Sequence, residues 1–354
     1  MDTNYYLSKE FWTSPKLHQC ISTDYLDLAA LPELPKGAVI FRSSGTSGVK
    51  KWIVHTRETL LASAKRVNEH LEASDDDVFG LLLPLDHVGG FGILSRAFLL
   101  SASVERYEQK WNPHEAYAFL KQKKVSITSF VPTQIYDLVQ NKLIAPESLR
   151  AIVVGGGTLS VELGERARKL GWPVLASYGM TEAGSQIATS SLDFSLPYKN
   201  TSLTILSGWQ MKLNERAQLS IKGESLCKGI IFQKNQQFEY QEVIDYYLTN
   251  DCVSISAGQL TFLGRVDRTI KVKGELVNLD ELENVLNSTL EGEFAVKPIE
   301  HERAGKQLNI YTTDESSILK IDGLLPAFVE VGKKVILTEI PKTGLGKTDY
   351  FSLV

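Results

Sequence analysis

Apolar residues fall in short runs separated by longer segments of helical period over most of residues 38–180. Ala38-Val39-Ile40-Phe41 and Trp52-Ile53-Val54 are β-like runs on either side of a polar stretch, which predicts two strands joined by a tight turn. Thr56 can cap a helix running to about Glu72, with Leu60, Leu61, Ala64, Val67 and Leu71 on one face. Val78 to Leu83 reads as a buried strand, residues 84–90 as a loop, and Phe91 to Leu100 as a buried helix. Strand signals follow at Ser126–Val131, Ala151–Val154 and Val174–Ser177, alternating with helical ones at Pro113–Lys123, Pro132–Asn141 and Ser160–Leu170. Such alternation implies crossover units on a mostly parallel sheet. Residues 1–36, broken by Pro15, Pro32 and Pro35, read as irregular.

The pattern changes near residue 200. Short runs at Gln210–Leu213, Gln218–Ile221 and Gly229–Phe232 alternate with turns and suggest a small β-rich subdomain. Beyond Gly264-Arg265-Val266-Asp267, Asn278-Leu279-Asp280-Glu281 resembles a capping box opening a helix to about Leu290, with two or three strands after it. The expected fold is α/β. A large N-terminal domain with a mostly parallel sheet and the β-rich subdomain spans 1–266, and a small α+β domain spans 267–354.

Length and composition narrow the function. The 354 residues suggest more than one domain, and 43% hydrophobic with 23% charged residues is ordinary for a globular chain with a real core. A net charge of -4 gives no basic footprint for nucleic acid. Cys20, Cys227 and Cys252 form neither a metal-ligand spacing nor an even disulfide framework, so a reducing cytoplasm is expected. No signal peptide or membrane-spanning run is read, and oligomeric state, a homo-oligomer included, stays open.

The chemistry-bearing stretches lie in the turns. Ser43-Ser44-Gly45-Thr46-Ser47-Gly48-Val49-Lys50-Lys51 is rich in hydroxyls, with two glycines and paired lysines. Glycine lets backbone N–H groups face an anion, hydroxyls donate to phosphate oxygens, and lysine adds a point charge. It is not a Walker A loop, because a strand follows where that motif opens a helix. A polar hairpin turn is the bland alternative. Gly155-Gly156-Gly157 follows an expected strand, where backbone can approach a flat ring or simply turn. In Ser177-Tyr178-Gly179-Met180-Thr181-Glu182, Tyr178 can stack on a base, Thr181 can bond a phosphate and Glu182 can ligate magnesium; a capped strand exit is the alternative. Asp251, read as following a strand, can accept from ribose hydroxyls, and Arg265 can join it or reach a phosphate. Pro341-Lys342-Thr343-Gly344-Leu345-Gly346-Lys347 is a glycine-bearing loop, of a kind that is commonly a frayed end.

Ser43–Lys51, Tyr178–Glu182, Asp251, Gly264-Arg265-Val266-Asp267 and Gly346-Lys347 stand in the order and spacing of the acyl-adenylate-forming enzymes, the acyl-CoA synthetase and adenylation-domain superfamily. The resemblance runs from about residue 38 to about 350. Leu83–Gly90, Ser95-Arg96-Ala97, Val131–Gln134 and Met180–Gln186 resemble members that take an aromatic dicarboxylic acid. Departures are Lys50 where a proline is common, Asn250 in place of glycine, Tyr350 where a basic residue is frequent, and a short region before the loop.

The resemblance implies the superfamily fold and a ligase that makes an acyl-adenylate from a carboxylic acid and ATP, then transfers the acyl group to coenzyme A, with Mg2+ as cofactor. It implies Thr46, Ser47 and Lys51 on the β- and γ-phosphates, with Ser43, Ser44 and Gly179 in the same ATP-binding set. Gly156, Gly157 and Tyr178 would enclose adenine, Thr181 would touch the α-phosphate, and Asp251 and Arg265 would hold ribose. Glu182 would bind the metal, His87 would line the acyl pocket, Arg96 would meet a second substrate carboxylate, Lys347 would be the catalytic lysine and Asp267 the hinge. Another acid, or an ATP-binding scaffold without catalysis, remain the alternatives.

Overall fold

The computed structural model describes residues 3–20, 26–27, 31, 33–43, 51–234, 237–273, 275–301, 305–343 and 346–353. The chain divides into two compact units, one of residues 1–212, 220–247 and 255–260, the other of residues 213–219, 248–254 and 261–354.

The first unit opens with helices α1 (Thr3–Tyr6) and α2 (Lys9–Thr13) and strand β1 (His18–Cys20), where the sequence predicts only irregular chain. The reason is aromatic packing rather than periodicity. Tyr6, Phe11 and Trp12 are buried and set their rings 5.5, 6.0 and 5.9 Å from that of Phe91. Such pairs add about 0.5–1.5 kcal/mol each beyond simple burial. Strand β1 runs parallel to β2 (Ala38–Ser43), which forms the expected hairpin with β3 (Lys51–Thr56), Ser43 opposite Lys51. Helix α3 (Arg57–His70) follows, capped by Thr56, whose hydroxyl and that of Thr59 bond each other's backbone N–H.

Next come β4 (Val78–Leu81), α4 (Val88–Leu100), β5 (Ser103–Arg106), α5 (Pro113–Gln122), β6 (Ile127–Phe130), α6 (Pro132–Gln140), β7 (Ala151–Val154), α7 (Val161–Lys169) and β8 (Val174–Met180). The five strands are parallel in the order β5-β4-β6-β7-β8. Helix α4 packs on α3, while α6 packs on both α5 and α7. Helix α4 starts at Val88, three residues earlier than the pattern predicts, because Gly89-Gly90 reads as a breaker. Gly90 has a packing reason instead: a Cβ there would lie 2.1 Å from the Pro84 carbonyl oxygen. Strand β9 (Ser185–Thr189) pairs antiparallel with β8, and β10 (Leu203–Ile205) with β9.

After β11 (Gln210–Leu213) and β12 (Gln218–Lys222), β13 (Gly229–Lys234) pairs with β3 and with β14 (Gln237–Glu242), both antiparallel. Strand β15 (Tyr247–Ser256) runs straight through Asp251, which the sequence reading sets after a strand, and β16 (Gln259–Arg265) ends at Arg265.

In the second unit a 3-10 turn, Val266–Arg268, leads to the hairpin β17 (Thr269–Val272) and β18 (Glu275–Asn278). Asn278 caps α8 (Leu279–Thr289), accepting from the N–H groups of Asp280 and Glu281. A sheet of β19 (Phe294–His301), β20 (Gly305–Thr312) and β21 (Val331–Ile336) completes it, with Val272, Leu279, Leu286, Val296, Leu308 and Ile310 in its core.

Candidate active site

The parallel strands set the place. Strand β4 connects through α4 to β5 on one side, whereas β6 lies on the other side of β4 and connects onward to β7. Open α/β sheets bind ligands where connections diverge, outside the carboxyl ends of the strands. Those ends deliver Leu82–His87 after β4, Val131-Pro132 after β6, Gly155–Gly157 after β7 and Ser177-Tyr178 in β8. The last three abut one another: a Cβ on Gly155 would lie 3.3 Å from Ser177 Oγ, and one on Gly157 would lie 3.5 Å from Pro132 Cγ. Ser177 Oγ donates to the Val154 carbonyl at 2.8 Å. Gly156 has φ +78°, a left-handed value that glycine adopts without a Cβ penalty. Gly156 and Gly157 are exposed, and the edge can present bare backbone to a flat ring.

Strand β8 extends farther than predicted, so Tyr178 and Gly179 lie within it, and Tyr178 is only 9% exposed. A Cβ at Gly179 would sit 2.1 Å from the Ser185 carbonyl oxygen, which explains glycine there. Thr181 and Glu182 form the following 3-10 turn, Thr181–Ala183. Three residues outside the motif hold this turn or its side chains. His55, wholly buried on β3, places Nε2 2.7 Å from the Thr181 carbonyl and Nδ1 2.9 Å from Thr59 Oγ1. Burial lowers its pKa to about 4, outweighing the carbonyl bond that raises it, so the ring is neutral. The Tyr247 hydroxyl donates to Glu182 Oε1 at 3.2 Å, and the Cys227 N–H donates to the Glu182 carbonyl at 2.8 Å.

Among the described residues no group of three or more His, Cys, Asp or Glu forms a metal cage. A lone carboxylate such as Glu182 suits Mg2+, which keeps several waters and takes its remaining oxygens from substrate phosphates.

Helix α4 joins the two acyl-side candidates. His87 is its N-cap residue, with Nε2 3.9 Å from Asp86 Oδ1. Arg96 lies on the same helix, 1% exposed, and folds back one turn so that Nε donates to the Gly92 carbonyl at 2.9 Å. That direction, toward the helix N-terminus and His87, is the ordinary one for a long helical side chain. Arg96 Nη1 is buried without a hydrogen-bond partner, and burial draws the guanidinium pKa down to about 10. Gly92 makes room: its absent Cβ would lie 3.1 Å from Arg96 Nη2.

In the second unit Arg265 gathers Asp251 and Asp267. Its Nη1 donates to Asp251 Oδ1 at 3.0 Å, while Nε and Nη2 hold both oxygens of Asp267 at 2.8 and 2.9 Å. Burial opposes the charge, but Asp267, Asp251 and Asp280 raise the guanidinium pKa. Lys347 is exposed on a separate segment of that unit.

The structure thus brings together Gly156, Gly157, Tyr178, Gly179, Thr181 and Glu182 on adjoining strand ends, His87 and Arg96 on one helix, and Asp251, Arg265 and Asp267 in one ion cluster. Ser43 and Lys51 face each other at the hairpin ends, with Lys51 Nζ 5.6 Å from the centre of the Phe232 ring. Ser44, Thr46 and Ser47 lie outside the described residues. Sequence reading missed His55 and Tyr247. The one visible signal for His55 was an imidazole ending a run of buried strand residues; Tyr247 gave none, because its partner is 65 residues away.

Residues 17–230 match the family described as AMP-binding enzyme. The 2-succinylbenzoate–CoA ligase of Bacillus licheniformis is 29% identical over 297 residues, 80% of this chain and 62% of that protein. That of Escherichia coli is 30% identical over 246 residues, 69% of this chain and 51% of the relative. The Bacillus pumilus ligase is matched over only 43% of its length, so the chain spans between about two fifths and two thirds of several of these relatives. Among solved structures, o-succinylbenzoate CoA synthetase from Bacillus subtilis in complex with the acyl-adenylate intermediate OSB-AMP superimposes with a TM-score of 0.77 at 25% identity. The match covers 89% of this chain and 68% of that one. The same enzyme in complex with ATP and magnesium ion gives 0.76 at 25% identity, over 89% and 69%. The parallel strand ends, the β2–β3 pair and the Thr181–Glu182 turn are thus carried on a shared fold, and with residues 17–230 of 354 matched the chain belongs to the AMP-binding enzyme family.

Proposed function

We propose that this protein is an AMP-forming acid–thiol ligase that activates 2-succinylbenzoate as its acyl-adenylate and passes the acyl group to coenzyme A, a step of menaquinone biosynthesis. The observation that carries the choice of acid is Arg96. A buried guanidinium with an unpaired Nη1 is costly unless an anion meets it. A dicarboxylate offers one carboxylate to react and a second to pair with that cation. Relatives named for the same acid support the reading.

On this reading a substrate carboxylate oxygen attacks the α-phosphorus of ATP and pyrophosphate leaves; the thiol of coenzyme A then displaces AMP. The chain's part is to orient and to stabilise charge. Thr46, Ser47 and Lys51 hold the terminal phosphates, with Ser43, Ser44 and Gly179 in the same ATP-binding set. Gly156, Gly157 and Tyr178 border the adenine, Thr181 bonds the α-phosphate, and Asp251 and Arg265 take the ribose. Lys347 stabilises charge on the α-phosphate during adenylation. His87 lines the acyl side, and Asp267 marks the hinge for the second half-reaction. Glu182 holds Mg2+, which neutralises phosphate charge when bound.

The test is pyrophosphate release from ATP with a panel of carboxylic acids. Release with 2-succinylbenzoate and little with benzoate-type monoacids is expected. Release with a different acid alone overturns the substrate, and ATP binding with no release for any acid overturns the activity.

A further inference from the structure

The second unit holds a polar cluster, buried at Arg268 and half-buried at Asp280, Glu283 and Tyr350, that the proposed reaction does not use. The Tyr350 hydroxyl donates to Glu283 Oε2 at 2.6 Å, and Glu283 Oε1 accepts from the Val296 N–H at 2.6 Å. Arg268 completes the cluster. Its guanidinium carbon lies 4.1 Å from the centre of the Tyr350 ring, its Nη2 is 2.6 Å from Glu283 Oε1, and its Nε donates to Asp280 Oδ1 at 2.8 Å. One aromatic side chain is therefore clamped twice, through its face by a cation and through its hydroxyl by a carboxylate. Burial pushes the Glu283 carboxyl pKa up, against the pull of Arg268 and Tyr350; contacts made away from water are the stronger ones.

Tyr350 is three residues beyond Lys347, and the chain between them is tied back on itself. The Thr343 N–H donates to the Lys347 carbonyl at 2.7 Å, the Asp349 N–H to the Pro341 carbonyl at 2.8 Å, and Lys342 pairs with Thr348 in an antiparallel bridge. Lys342 Nζ also meets Glu293 at 3.0 Å. Downstream, Leu353 is buried with Ala295, Tyr311 and Ile340. The segment is therefore a braced hairpin on the second unit, not the frayed end that its glycines suggest; Gly344 and Leu345 lie outside the described residues.

We propose that Tyr350 is a positioning residue that fixes the register of the Lys347 hairpin on its unit, so that the ammonium is presented in one orientation for adenylation. This rests on the ligase reading above. A hairpin released at Tyr350 keeps its lysine but loses its aim, and misplacement of a reacting group by about 1 Å can cost up to about 10²-fold in rate.

The test compares Tyr350→Phe, Tyr350→Ala and Lys347→Ala in the full chain. Phenylalanine keeps the face over Arg268 and removes only the bond to Glu283. Adenylation should fall on the order of 10-fold in Tyr350→Phe and further in Tyr350→Ala, with the KM for ATP unchanged. Thioester formation from preformed acyl-adenylate and coenzyme A should stay near the parent rate. Amide hydrogen exchange at Thr343, Gly346 and Asp349 should quicken while β19 and β20 keep their protection. A fall in both half-reactions together with a lower melting temperature would make the role structural and overturn the proposal. So would unchanged exchange and unchanged adenylation in Tyr350→Phe alongside a crippled Lys347→Ala. Normal adenylation by Lys347→Ala would instead overturn the lysine's role in the ligase reading, on which this proposal depends.

Discussion

The Nε2 of His55 lies 2.7 Å from the carbonyl oxygen of Thr181, a bond between residues 126 positions apart in the chain. A carbonyl can only accept, so Nε2 carries the hydrogen and Nδ1 accepts from the Thr59 hydroxyl 2.9 Å away. One ring, fixed in one tautomer, thereby ties the turn that bears Thr181 and Glu182 to the strand that leaves the hydroxyl-rich loop.

That ring should make the fold sensitive to mild acid. Its folded pKa of about 4 is below the unfolded value of 6.5, so the unfolded chain binds the proton first. The stabilisation is complete above pH 6.5, declines as pH falls through that value, and is gone near pH 4. The full loss is on the order of 3 kcal/mol. Urea unfolding at pH 7.5 and pH 4.5 should show a larger acid loss for the parent than for His55→Gln, whose amide supplies a donor that does not titrate. Equal losses in both proteins would remove His55 as the source.

Tyr247 and Glu182 should separate metal binding from metal aiming. Glu182→Gln keeps the shape and removes the charge, so adenylation should fall by about 10² or more. Tyr247→Phe removes the 3.2 Å bond to Oε1 and with it one restraint on the carboxylate. Its effect should be about 10-fold, in the range for residues that orient a metal ligand, and should appear as a higher Mg2+ concentration for half-maximal rate. A Tyr247→Phe protein with an unaltered Mg2+ titration would show that the bond does not steer the carboxylate.

Gly92 offers a test of Arg96 that leaves the cation in place. Glycine to alanine inside an exposed helix ordinarily stabilises by about 1 kcal/mol. Here the new Cβ would lie 3.1 Å from Arg96 Nη2 and must push the guanidinium aside. Gly92→Ala and Arg96→Ala should both raise the KM for the acid, Arg96→Ala the more, while the KM for ATP changes little in either. If Gly92→Ala raises both constants together, the helix rather than the guanidinium has been disturbed.

The sequence by itself determined the alternation of strands and helices from residue 38 to 180, because runs such as Ala151–Val154 are apolar on both faces and the intervening helices carry one apolar stripe each. It also placed the N-caps at Thr56 and Asn278, whose short side chains reach their own backbone. Tertiary structure decided the rest, wherever the deciding partner is far along the chain. Tyr6, Phe11 and Trp12 have no period to reveal a fold, and become ordered only against Phe91. Gly89-Gly90 breaks a helix on local propensity, yet burial overrides that preference and the Pro84 carbonyl leaves no room for a Cβ at Gly90. Asp251 reads as following a strand, yet a ten-residue strand runs through it and sets its carboxylate against Arg265. Nothing local could assign His55 to Thr181 or Tyr247 to Glu182, because each bond exists only once the fold has brought remote segments together, and a hydrogen bond leaves no periodic trace in sequence.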